Sequence, residues 1–295
     1  MKKKYAFFLL AVAGLHAAPA AQAQSFAKSS QYLSVGASLN AVNYFGDLTP
    51  RVSFASVRMA AVRPGFSFQA MQRFTPRISA RVALGFGRIT GADKQAKGDE
   101  AIYRYYRNLN FKSNIQELSA VGVVDLMPNY SQAVHRLSLV PYVFGGVALF
   151  HFNPKGTVEG GTVPAGLKSG QEIALQPLRT EGRTYHLTQV ALPFGAGVRC
   201  KVAKSIDVSL ELGWRKTFTD YLDDVSSTYV NAAKLRTPAA QYFGHGITRI
   251  DQATPTDLNV PGALRGNSSE KDWYMTTGVT VSYILDKAIK FNKFR

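Results

Sequence analysis

The 295-residue sequence predicts an all-β protein, an eight-stranded antiparallel transmembrane up-and-down β-barrel with short periplasmic turns and long extracellular loops. Three observations predict it. The chain opens with an export leader. No later apolar run approaches the ~18 residues of a membrane helix. Eight later segments of roughly 10 to 15 residues alternate apolar and polar side chains with period two, which suits tilted membrane strands. Lipid offers no partner to an open sheet edge, so strands that cross a membrane must close into a barrel.

The leader is read from Lys2, Lys3 and Lys4, the apolar stretch Tyr5 to Leu15, and the small-x-small site Ala21-Gln22-Ala23. Its apolar run of about 11 residues is too short to span a bilayer as a helix, so cleavage is expected and the mature chain starts near Gln24. The expected organisation is a signal peptide at 1–23, a periplasmic segment at 24–30, the barrel at 31–285 and a basic tail at 286–295. The formal net charge is +16, and removing the three leader lysines leaves 16 − 3 = +13. Such a field suits an acidic neighbour: lipopolysaccharide, anionic lipid or an acidic protein. Export argues against nucleic acid. No Cys directly follows the cleavage site, so the chain does not read as a lipoprotein, and the lone Cys200 cannot form an intramolecular disulfide.

The first segment sets Leu33, Val35, Ala37, Leu39 and Ala41 against Ser34, Gly36, Ser38 and Asn40. The second, near Val57 to Ala70, and the third, Arg77 to Thr90, carry Arg63 and Arg81 inward. The fourth, Asn114 to Met127, turns Leu118, Ala120, Val124 and Leu126 outward and Glu117, Ser119 and Asp125 inward. The fifth, Leu137 to Phe152, is apolar on both faces, and pattern alone leaves its register open. The sixth sets Val190, Leu192, Phe194, Ala196, Val198 and Cys200 against Gly195, Gly197, Arg199 and Lys201, so Cys200 reads as a small hydrophobe. The seventh opposes Ile206, Val208, Leu210, Leu212, Trp214 and Phe218 to Asp207, Ser209, Glu211, Gly213, Arg215 and Thr217. The eighth opposes Met275, Thr277, Val279, Val281, Tyr283 and Leu285 to Tyr274, Thr276, Gly278, Thr280 and Ser282.

Connections alternate between short (Gln72 to Pro76, Pro128 to Arg136, Ala203 to Ser205) and long (Leu48 to Ser56, Gly91 to Ser113, Asn153 to His186, Asp220 to Glu270), as in bacterial outer-membrane barrels. Pattern assigns no element to the stretch from Ser227 to Ser269, which reads as a segment for binding to order. Aromatics near strand ends, among them Tyr32, Tyr44, Tyr142, Phe150, Phe152, Trp214, Phe218, Trp273, Tyr274 and Tyr283, are expected to form the interfacial girdle. Thr276 to Tyr283 resembles the signal that the barrel-assembly machinery reads, except that a basic tail follows it.

A barrel of this size has an interior just wide enough for side chains, so inward charges must pair. Arg63, Arg81, Glu117, Asp125, Arg199, Asp207, Glu211 and Arg215 are expected to form a plug of ion pairs and not an ion path. His151, His186 and His245 match no catalytic or metal-ligand spacing, so no catalytic residue, metal or cofactor is expected. Asp220, Asp223 and Asp224 lack the spacing of a calcium loop. They are read as hydrogen-bonding the base of the longest loop or pairing with Arg104 and Arg107. The glycines lie within strands and form no phosphate loop.

Three segments carry a resemblance: Tyr44-Phe45-Gly46-Asp47-Leu48, Arg107-Asn108-Leu109-Asn110-Phe111, and Thr219-Asp220-Tyr221-Leu222-Asp223-Asp224-Val225-Ser226. With them the chain resembles the Bacteroidota family of outer-membrane barrels that includes PorG of the type IX secretion system. The resemblance implies a non-enzymatic barrel in the cell outer membrane, serving as a structural or assembly component of secretion. Its motif residues are Phe45, Gly46, Asp47, Asn108, Phe111, Asp220, Tyr221, Asp223 and Asp224. Implied partners are outer-membrane lipid, secretion-machine proteins and, during insertion, the barrel-assembly machinery. The basic tail residues Lys287, Lys290, Lys293 and Arg295 are the candidate partner contact. A free-standing surface-binding barrel is the alternative; an outer-membrane lipid or protein hydrolase is the second, with no motif behind it.

Overall fold

The structure, a computed structural model, describes residues 30–48, 61–95, 104, 107–159, 163–245 and 260–285. The expected leader, the expected start of the second strand at Val57, and Lys287, Lys290, Lys293 and Arg295 of the tail lie outside these residues. Eight long strands form the fold: β1 (Leu33–Phe45), β2 (Arg63–Arg73), β3 (Ile78–Ala92), β4 (Asn110–Asp125), β5 (Leu139–His151), β8 (Thr188–Lys201), β9 (Ile206–Thr217) and β10 (Trp273–Ile284). Each pairs antiparallel with its neighbours in sequence, β10 pairs with β1, and the β3–β4 ladder closes the barrel. Closure removes every long edge, which an open sheet of this length would expose.

The period-two pattern sets the register. In β4 the side chains from Ser113 to Asp125 alternate strictly between buried and exposed, with Glu117, Ser119 and Asp125 inside and Leu118, Ala120 and Val124 outside. The fifth segment, ambiguous by pattern, is resolved by its partners. Tyr142 stands opposite Asp125, Phe144 opposite Val123 and Phe150 opposite Glu117, so its aromatic side chains fill the lumen. Tyr32, Tyr44, Phe152 and Tyr274 are likewise buried, which corrects the girdle reading for these residues. A lumen this narrow is filled by side chains, and large rings fill it with few voids. Phe218 and Tyr283 do face out, and Trp214 lies parallel to Phe194 at 6.2 Å on the outer wall.

Short turns gather at one end, at 74–77, 126–138 and 202–205, and long connections at the other. The long connections are more structured than pattern suggests. A hairpin of β6 (Pro154–Thr157) and β7 (Glu172–Ala174) extends the sheet from β4, where Lys112 pairs with Lys155. β4 starts at Asn110 instead of Asn114 because its ladder with β3 continues to the pair Ala92 and Asn110. The stretch from Ser227 to Ser269, unassigned by pattern, carries α1 (Pro238–His245), which buries Tyr242 and Phe243. The largest apolar cluster sits at this long-loop end. It joins Tyr44, Phe111, Phe150, Phe152, Leu222 and Phe243 across four connections, so the loops carry a core of their own.

Candidate functional site

Two layers of buried charge are stacked along the barrel axis. In the lumen Arg81 is paired with Glu211, which also accepts from the Tyr142 hydroxyl at 2.7 Å. Arg215 Nε lies 3.2 Å from Glu117 Oε2, and the Tyr274 hydroxyl donates to the same oxygen at 2.7 Å. Asp125 takes two cations, Arg199 at 3.3 Å and Arg73 at 3.4 Å. The guanidiniums of Arg81 and Arg199 also lie over the rings of Phe144 and Tyr142, at 4.8 and 4.9 Å. Asp207 is paired below with Arg136, a residue of the β4–β5 turn, at 2.7 Å.

Seven of the eight inward charges read from sequence therefore meet opposite charges. Arg63 does not enter these pairs. It stands at the long-loop end of β2 and donates to the Val62 carbonyl at 3.0 Å. Sequence reasoning missed Arg73 because the second segment is read to end at Ala70, although Arg73 continues the inward face of β2, and Arg136 because it lies in a turn, where alternation carries no signal. The spaces left between the pairs are small, about 50 and 40 Å³.

Above the lumen the three resemblance segments knot together. Asp223 accepts from the Leu48 amide at 3.1 Å, the Val225 amide at 2.9 Å and the Tyr44 hydroxyl at 2.6 Å. Asp47 accepts from the Asn267 amide at 2.9 Å, and its carbonyl receives Arg107 at 3.1 Å. Asp220 accepts from the Ser226 hydroxyl at 2.6 Å. Asp224 accepts from Thr180 at 2.5 Å and Tyr185 at 2.7 Å, and Arg265 lies 3.7 Å away, held also by Glu181. Asn108 and Asp224 both have left-handed backbones, at φ 47° and 70°, a conformation that Asn and Asp tolerate better than other side chains. Phe45 is buried, Phe111 meets Tyr44 edge-on at 4.9 Å, and Tyr221 stacks on Tyr185 at 4.6 Å. A side chain at Gly46 would collide with Tyr44 and Asp272. One expected partner differs: Arg107 is bidentate to Asp93, with both bonds at 2.7 Å, and Asp93 also accepts the Leu109 amide.

The protonation of this clasp follows from counting hydrogens. The Tyr44 hydroxyl lies within hydrogen-bond distance of two carboxyls, Asp223 at 2.6 Å and Asp272 at 3.1 Å, yet it has one hydrogen to give. Asp223 already receives two backbone amides and is the better anion. Asp272 receives only the Leu222 amide and so supplies the second bond's hydrogen itself. Burial pushes both carboxyls well above the usual carboxylate range, and the neighbouring charges of Asp223, Asp220 and Asp47 reinforce it. Burial likewise pushes Asp220 and Asp224 up to about 6, although Arg265 opposes the shift at Asp224.

The histidines are spread over separate elements. His151 Nδ1 is 3.0 Å from the Thr188 hydroxyl, the His186 carbonyl accepts from Gln189, and His245 ends α1. Among the described residues no group of three or more His, Cys, Asp or Glu is arranged to hold a metal ion.

Among solved structures, the chain is similar to Ail, the attachment invasion locus protein of Yersinia pestis, solved with the heparin analogue sucrose octasulfate. The match has 10% identity and a TM-score of 0.36, and covers 86% of this chain and 97% of that one. For a major outer membrane protein of Thermus thermophilus the values are 13% and 0.36, covering 86% and 99%. For Neisserial surface protein A they are 10% and 0.35, covering 86% and 97%. No curated protein matches the chain. Residues 20–242, more than half of the sequence, match the family model described as a domain of unknown function (DUF6089), and the chain belongs to that family.

Proposed function

We propose that the chain is a non-enzymatic barrel of the bacterial outer membrane, exported by its leader, that serves as a structural or assembly component of type IX protein secretion. The carrying observation is the inverted polarity of the closed barrel. Ion pairs fill the inside, and large apolar side chains stand exposed at alternate outward positions of each long strand, among them Leu39 at 77% and Leu210 at 58%. In water a continuous apolar belt is an aggregation hazard; in a bilayer it is the surface that solvation requires. The short-turn end, where β1 starts and β10 ends, then faces the periplasm, and the clasp lies at the cell surface.

The secretion role rests on the three resemblance segments, and their convergence in one knot supports reading them as a unit. The basic tail, Lys287 to Arg295, is the candidate contact for a periplasmic partner, and its charge suits an acidic surface.

The test compares the secretome of a deletion strain with its parent, after fractionation of the tagged protein. Loss of secreted cargo, restored by the full chain and only weakly by a chain lacking 286–295, is the expected outcome. An unchanged secretome with the protein in the outer membrane removes the secretion role and leaves a free-standing barrel. A protein absent from the outer membrane overturns the whole reading.

A further inference from the structure

The barrel wall has a seam. Along β2 the ladder to β1 runs to the pair Val42 and Arg63, but the ladder to β3 stops, among the described residues, at Phe66 opposite Phe86. β3 meanwhile stays paired with β4 as far as Ala92. Pro64, one residue inside the start of β2, has no amide hydrogen to offer across the gap. Gly65 and Gly87 still lie against each other beyond that pair, and over the end of this ladder the outer wall holds a groove of about 620 Å³.

The groove is amphipathic along its length. Leu39, Phe66 and Phe86 form its apolar part, with the two phenylalanine rings stacked at 5.1 Å. Arg63 and Arg88 line it about two or three residues nearer the long-loop end, or roughly 7–10 Å along the strands. Arg88 faces outward, and its Nε–H donates to the exposed Asn114 at 2.8 Å. The basic strip continues across β4 onto the hairpin. Lys112 stands directly opposite Lys155, and among the described residues only Lys112 of the two is bonded to a carboxylate, Glu172 at 2.9 Å. Like charges facing each other across a ladder are destabilising unless an anion lies near them. Arg88, Lys112 and Lys155 thus exceed Glu172 in charge, directly above an apolar slot.

We propose that this groove binds a phosphorylated lipid of the outer leaflet, with its phosphate against Arg63 and Arg88 and an acyl chain along Phe66 and Phe86. The inference rests on the outer-membrane reading above and deepens it by giving the lipid partner a site. Guanidiniums bind phosphate in a bidentate manner and tolerate partial burial better than ammonium groups. The apolar floor argues for a lipid over a soluble phosphate, which would gain nothing from the stacked rings. It also argues against an acidic protein, which would have to enter the acyl region to reach them.

The test uses the full chain, purified in a zwitterionic detergent and offered diphosphoryl lipid A, dephosphorylated lipid A or inorganic phosphate, with bound lipid counted by native mass spectrometry. Diphosphoryl lipid A is expected to be retained. Retention should fall at least tenfold in Arg63→Gln/Arg88→Gln and stay unchanged in Lys168→Gln/Lys234→Gln, which removes as much charge from the loops. Equal retention by the arginine variant, equal binding of the dephosphorylated lipid, or displacement by inorganic phosphate at the lipid's own concentration would each overturn the site. If the double variant fails to insert, as judged by its heat-dependent gel shift, Arg88→Gln alone carries the comparison. Protein that fractionates away from the outer membrane defeats the underlying reading. Inserted protein whose lipid binding ignores the phosphate defeats only this inference.

Discussion

Asp272 and Asp223 differ by one proton although they share a hydroxyl, and this has measurable consequences. An amide in place of a protonated carboxyl keeps both a donor and an acceptor, so Asp272→Asn should leave the clasp intact. Asp223→Asn removes an anion that accepts three hydrogen bonds and should cost about 1–3 kcal/mol. Thermal unfolding followed by near-ultraviolet circular dichroism separates the two; equal losses would defeat the assignment. The pH dependence has a definite sign. Asp220 and Asp224 have folded values raised from 3.8 to about 6, so their contribution is complete below the unfolded value and is lost as pH rises through about 6. The clasp should therefore melt at a lower temperature at about pH 7 than at about pH 4.5. A flat or opposite trend would show that these carboxyls are not held protonated.

At the scale of elements the turns are held by single long side chains. Arg136, in the β4–β5 turn, donates to the carbonyls of Ala133, Lys204, Ala203 and Ile206 at 2.6 to 3.1 Å and to Asp207 at 2.7 Å. It ties two neighbouring turns into one floor. Arg136→Met strands a buried carboxylate and is expected to cost about 3–5 kcal/mol, whereas Arg136→Met/Asp207→Asn should recover part of that loss. Chemical unfolding of the three proteins in lipid vesicles gives the coupling; a double variant no better than the single would mean that Asp207 is solvated. The period-two alternation made the barrel strands legible, since burial of one face writes itself into every second residue. The faces of β1, β3, β4, β8 and β9 could be read in this way, and with them Arg81, Glu117, Arg199 and Glu211. Arg73, Arg136 and the partners of the loop carboxylates could not. Loops obey no period, and what fixes Asp93 on Arg107 or Glu181 on Arg265 is contact between segments distant in sequence. The β5 register was hidden for a related reason: both of its faces are apolar, and only Asp125 and Glu117 on β4 reveal which side is the lumen.

For the whole molecule, the plug and the clasp are two barriers in series along one axis. Two of the spaces between the lumen pairs measure about 50 and 40 Å³, each with room for a few waters at roughly 10–15 Å³ of such volume apiece. A hydrated ion would have to break Arg81 from Glu211 or Arg215 from Glu117, leaving a charge unpaired in a narrow, poorly solvated bore. Above that layer the apolar cluster of Phe150, Phe152, Tyr185 and Leu222 spans the mouth, and Arg107 with Asp93 closes its edge. The full chain in a planar bilayer should therefore show no stepwise conductance. Because the barriers are in series, Arg81→Ala/Glu211→Ala should remain silent as well: widening the lumen leaves the clustered rings in place. Steps in the wild-type record would show that the ion pairs open on the timescale of the measurement. Steps appearing only in the double variant would mean that the clasp is no barrier and that the lumen pairs alone seal the barrel.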